Sequence, residues 1–68
     1  MRELIVYNES RGDVYDVLWH YYSRVGVLRD VEIYQEDTDV IVVATGQDIY
    51  NIENTLIDNG FDVELKGN

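Results

Sequence analysis

The chain has 68 residues, 14 acids against 5 Lys and Arg for a net charge of −9, and no cysteine. That excludes disulfide frameworks and thiolate metal sites, and it sets the surface against direct contact with a phosphate backbone. Hydrophobic residues make up 46% of the chain, which suits one folded domain over residues 1–68 and not a disordered one.

Arg2 to Tyr7 reads as the first strand. Leu4 and Val6 point one way, Ile5 and Tyr7 the other. Both sets are apolar, which places this strand inside a sheet. The run from Leu4 to Tyr7 is too short for a signal-peptide core or a membrane span. A soluble, reducing, cytoplasmic location is expected.

Asn8 to Gly12 is a loop of turn formers. Asp13 is the expected helix cap, with Asp16 favouring the positive end of the helix dipole. Ser10 competes for the cap position. Asp13 to Val25 then reads as a helix, with Val14, Val17, Leu18, Tyr21 and Val25 on one stripe. Asp13, Asp16, His20, Ser23 and Arg24 lie opposite. Tyr15, Trp19 and Tyr22 form an aromatic flank between. Gly26 closes the helix.

Val27 to Glu36 alternates cleanly. Val31 and Ile33 face one side, Asp30, Glu32, Tyr34 and Glu36 the other, as in a solvated edge strand. Asp37 and Thr38 turn the chain into Asp39–Thr45, which suggests a hairpin. That stretch, DVIVVAT, is β-branched and apolar on both faces, the pattern of a central strand. Gly46 ends it. Gln47 to Asn59 is the second helix, with Thr45 or Gly46 as its cap region and Ile49, Ile52, Leu56 and Ile57 facing the core. Asn59-Gly60 is its stop signal. Phe61 to Leu65 is the last strand, Phe61, Val63 and Leu65 inward, Asp62 and Glu64 outward.

The order β-α-β-β-α-β resembles the ferredoxin-like fold, an α+β plan. The resemblance implies a four-stranded antiparallel sheet ordered 4-1-3-2 with two helices on one face. Strands one and three are then central, and these are the two that are apolar on both faces. One sheet face is left open. It is expected to carry an apolar centre, from Ile5 and Tyr7 or Leu4 and Val6, with Ile41 and Val43 or Val40 and Val42. Its rims are acidic: Asp30, Glu32 and Glu36 on one edge, Asp62 and Glu64 on the other.

A contiguous apolar patch on a small protein marks an interface. Tyr34, Ile41 and Val43 are the candidate contact residues of the sheet. Tyr15, Trp19 and Tyr22 are the alternative, since Tyr and Trp are favoured interface anchors. The same aromatics would also serve to cover the edge of a thin core. Asp30, Glu32, Glu36, Asp37 and Asp39 cluster along strand two and its hairpin. Successive outward residues of a strand stand roughly 6.5–7 Å apart, comparable to phosphates along a nucleic-acid strand. Solubility alone is the plainer account of the charge.

No catalytic, cofactor or metal motif emerges. One histidine, His20, cannot supply a zinc ligand set. Asp37 and Asp39 lack the glycine and terminal Glu of a calcium loop. Arg11-Gly12-Asp13 spells an adhesion tripeptide that helix capping explains. The loop NESRGD lacks the two cysteines of heavy-metal-associated domains and the glycine-rich, arginine-bearing cradle of acylphosphatases. DVIVVATG lacks the basic and aromatic pattern of RNA-recognition motifs. ACT-type ligand modules share the topology, and Gly12 at the first strand–helix junction is compatible with them.

In size, acidity and lack of cysteine the chain is similar to phage-encoded inhibitors of nucleic-acid enzymes, including anti-restriction and anti-CRISPR proteins. That similarity implies a non-enzymatic inhibitor or adaptor whose partner is a protein with a basic surface, with no direct nucleic acid, membrane or cofactor. A homodimer through the open sheet face is a further expectation. The alternative is an ACT-like small-molecule-sensing dimerisation domain.

Overall fold

A computed structural model of the chain describes residues 2–22 and 31–66, with the backbone alone for Tyr21 and Tyr22. Its elements are β1 (Arg2–Val6), α1 (Arg11–Tyr22), β2 (Glu32–Glu36), β3 (Asp39–Ala44), α2 (Asp48–Asp58) and β4 (Val63–Leu65). The four strands make one antiparallel sheet ordered β2-β3-β1-β4. This is the ferredoxin-like order, and the two doubly apolar strands are indeed the central pair. The expected end of the first helix at Val25 and Gly26, and the start of the second strand with Asp30, lie outside the described residues.

The pleat of the central strands decides which side is core. Leu4 and Val6 of β1 and Val40, Val42 and Ala44 of β3 join Ile33 of β2 in one buried cluster. Val14 and Leu18 of α1 and Ile49, Ile52 and Leu56 of α2 belong to the same cluster, so both helices cover the same sheet face. Val17, Val31, Phe61, Val63 and Leu65 pack around its margin. Each fully buried aliphatic side chain contributes about 1.5–3 kcal/mol of transfer free energy. Conformational entropy offsets nearly all of the sum, and the expected net stability is roughly 3–10 kcal/mol.

Several boundaries differ from expectation, each for a local reason. Ser10, not Asp13, caps α1. Its Oγ accepts the Asp13 N–H at 3.3 Å and its carbonyl the Val14 N–H at 3.2 Å. Asp13 becomes the third helical residue, where its charge still favours the N-terminal dipole. At α2 the cap is Gln47, already in helical conformation and without a side-chain bond, and not Thr45 or Gly46. Gly46 instead takes φ +59° and turns the chain out of β3. The far end of α2 is a Schellman closure around Gly60 at φ +87°. The Gly60 N–H donates to the Ile57 carbonyl at 2.9 Å, and the Phe61 N–H to the Leu56 carbonyl at 3.0 Å.

Ile57 is the one miscast core residue of α2. It is 50% exposed, and Thr55 is buried in its place. Residues 55 and 57 sit on opposite flanks of the Ile49–Ile52–Leu56 stripe, so periodicity treats them alike. Thr55 shares a groove with Val17 and His20 of α1, so α1 shelters that flank. Its hydroxyl donates to the Asn51 carbonyl at 2.8 Å, which makes burial tolerable.

Candidate functional site: the open face of the sheet

The register places the outward side chains in three rows across the strands. The middle row runs Tyr34, Ile41, Ile5, Glu64 from β2 to β4. On one side of it lie Glu32, Val43 and Glu3. Lys66 is beside Glu3, its N–H donating to the Glu3 carbonyl at 2.9 Å. On the other side Glu36 and Asp39 pair across the hairpin. The row continues through Tyr7, whose N–H donates to the Asp62 carbonyl at 2.9 Å.

The result is an apolar strip edged with acid. Ile41 is its floor, only 6% exposed, while Tyr34 stands 41% exposed. Ile5, Tyr7 and Val43 are half-buried. Six carboxylates surround them: Glu3, Glu32, Glu36, Asp39, Asp62 and Glu64. Among the described residues the one cation beside this face is Lys66. The hydrogen bonds these acids accept here come from neutral donors: the Tyr7 hydroxyl to Glu64, and the Asn8 N–H to Asp39 Oδ1 at 3.0 Å.

Two phenols register the field. Desolvation first, then the charges of Glu3, Glu36 and Glu32, push the Tyr34 hydroxyl above its ordinary pKa. For Tyr7 the leading cause is the hydrogen bond to Glu64, followed by desolvation and the charges of Glu64, Asp39 and Asp62, again upward. Each makes the phenolate harder to form. Tyr34 on β2 feels Glu3, Glu32 and Glu36, while Tyr7, just past the end of β1, feels Asp39, Asp62 and Glu64, so each of the six carboxylates acts on one of the two phenols.

Of the acids singled out from the sequence, Glu32, Glu36 and Asp39 lie on this face, and Asp37 lies in the adjoining turn at φ +57°. Asp30 is outside the described residues. Tyr34, Ile41 and Val43 are all central to it. The choice left open for β1 and β3 resolves to Ile5 and Tyr7 with Ile41 and Val43. Glu3 was missed, although it precedes Ile5 and Tyr7 in the same alternation.

Gln35 was also missed, and it holds the hairpin in place. Its Nε2 donates to the carbonyls of Glu9 at 3.0 Å, Asp37 at 3.1 Å and Asp39 at 2.8 Å. Its Oε1 accepts the Arg11 N–H at 2.7 Å. The acidic turn is thereby tied to the start of α1.

The aromatic flank lies elsewhere, on α1. Tyr15 and Trp19 stack with centroids 6.3 Å apart and planes 5° from parallel. The Arg11 guanidinium sits 5.5 Å from the Tyr15 centroid, and its Nε donates to the Ile33 carbonyl at 2.8 Å. Trp19 is 50% and Tyr15 38% exposed. The Tyr22 side chain lies outside the description. A groove of about 300 Å³ between the helices is lined by Val17, His20, Thr55 and Asn59. Among the described residues no three His, Cys, Asp or Glu side chains gather as a metal site, and no helix is long and apolar enough to cross a membrane.

No protein-family model, curated protein or solved structure matches the chain.

Proposed function

We propose that this protein works by contact and not by catalysis, as a small acidic inhibitor or adaptor that engages the basic surface of a nucleic-acid-processing protein. The observation that carries the reading is the open sheet face, where six carboxylates edge an apolar strip. Charge alone serves solubility. Charge arranged around Tyr34, Ile5 and Val43 offers a partner both an apolar centre and a polar rim, the anatomy of an interface. An inhibitor of phage anti-defence type is the finer form of this reading, and it rests on size and acidity.

The test is affinity capture from the source organism, run with the wild type and with a Glu32→Gln, Glu36→Gln, Asp37→Asn variant. The expected result is a nucleic-acid-processing protein held by the wild type, released by salt, and held poorly by the variant. A partner held equally by both, at low and high salt alike, contradicts the proposal.

A second reading, an ACT-like small-molecule-sensing domain, draws on the groove at Val17, His20, Thr55 and Asn59. A metabolite that raises the melting temperature, with the effect lost in a Thr55→Val variant, would favour it.

A further inference from the structure

We infer that the open face is a seat for one amphipathic, cationic helix of the partner, lying across the strands with its apolar stripe over Tyr34, Ile41 and Ile5. The inference rests on the acidic-interface reading above and names the shape and chemistry of what that interface holds.

Dimensions come first. Four strands spaced about 4.8 Å apart give the middle row a length of about 14 Å. At 1.5 Å per residue that matches roughly ten residues of α-helix. The acid-bearing rows lie roughly 6.5–7 Å to either side. A helix is about 10–12 Å across with its side chains. A helix laid along the middle row therefore holds its flanks above Glu32 and Glu3 on one side and Glu36, Asp39 and Asp62 on the other. Lys and Arg on those flanks lay their aliphatic stems on the apolar strip and their charges on the carboxylates.

Other occupants fit less well. A second copy brings its own six acids against these six, and like charges directly opposed are unfavourable. Phosphate backbones and anionic lipid headgroups are repelled for the same reason. A strand added at an edge would use backbone groups. On β2 the Ile33 carbonyl already accepts from Arg11 Nε, and β4 offers only three residues, Val63–Leu65. Recognition is left to the side chains of the face, and those ask for grease flanked by positive charge.

The test titrates two synthetic peptides into the isotope-labelled full chain and follows its amide resonances. One peptide carries a leucine stripe at helical spacing with lysines on both flanks. The other has the same composition in an order that has no stripe. The expected result is at least tenfold tighter binding of the striped peptide, with shifts centred on Glu3, Ile5, Tyr34, Ile41 and Val43. A Val43→Lys variant should lose that preference, as should a Glu3→Gln, Glu32→Gln variant whose apolar strip is intact. Equal binding of both peptides overturns the helix seat and leaves the acidic-interface reading standing. Shifts centred on Tyr15 and Trp19 overturn the seat as well. So does sedimentation of the free chain as a dimer with the same residues shifting on dilution. Failure of both cationic peptides to bind overturns the seat and the reading beneath it.

Discussion

Tyr34 stands directly opposite Ile41 across the β2–β3 ladder, at the centre of the open face. Side chains so paired are about 4.5–5.5 Å apart at Cβ. Ile41 is thereby a buried floor and Tyr34 its exposed neighbour. A lysine at residue 41 would have to enter an apolar, enclosed position, and unfolding is the expected outcome. A lysine at the half-buried Val43 lies between Glu3 and Glu32 and should leave folding nearly intact. Urea unfolding of Ile41→Lys and Val43→Lys compares the two. Equal loss of stability would contradict this account of the face.

The phenols give a second prediction. Tyr7 and Tyr34 have pKa values raised in the folded chain, against about 10 when unfolded. The folded chain therefore keeps these protons where the unfolded chain loses them. Their contribution to stability is full below about pH 10 and is lost as pH rises through the folded values. Site-resolved ring resonances should show both tyrosines titrating above 10, and Glu3→Gln should lower the Tyr34 midpoint. Titration of either at or below 10 would count against the field described.

Core and flank of α2 should respond very differently. Leu56→Ala is expected to cost about 2–5 kcal/mol, a large share of the stability of so small a domain. Ile57→Ala, half in solvent, should cost well under about 1 kcal/mol. Denaturant midpoints at unchanged slope measure both. Comparable losses would mean that Ile57 belongs to the core after all.

At the start of α1, Ser10→Ala should cost about 0.5–2 kcal/mol through the lost cap, and Asp13→Ala less, through the dipole alone. Thermal unfolding of the two variants ranks them. The reverse order would move the cap back to Asp13.

These residues also show how far the chain could be read unaided. Strand order was legible because Leu4–Tyr7 and Val40–Ala44 are apolar on both faces, and only inner strands tolerate that. Which of their two faces stays open was not, since both look alike until the helices choose a side. Alternation puts Glu3 on the same side as Ile5 and Tyr7, but its place beside Val43 on the open face comes from the sheet register, a pairing between residues 40 apart in sequence. Ser10 and Asp13 are both good caps, and three residues of separation leave local propensity unable to rank them. Gln35 acts through four bonds to backbone groups of a loop and a turn, and no periodicity reports such bonds.

The most direct measurement of the central claim is the association rate with the captured partner as a function of ionic strength, for the wild type and the Glu32→Gln, Glu36→Gln, Asp37→Asn variant. Exposed charges are screened beyond about 8 Å at physiological salt. Steering by the acidic face predicts a rate that falls steeply with salt in the wild type, a shallower fall in the variant, and little change in dissociation. A flat salt dependence, or the same slope for both proteins, would contradict it and shift recognition to the stacked pair Tyr15 and Trp19.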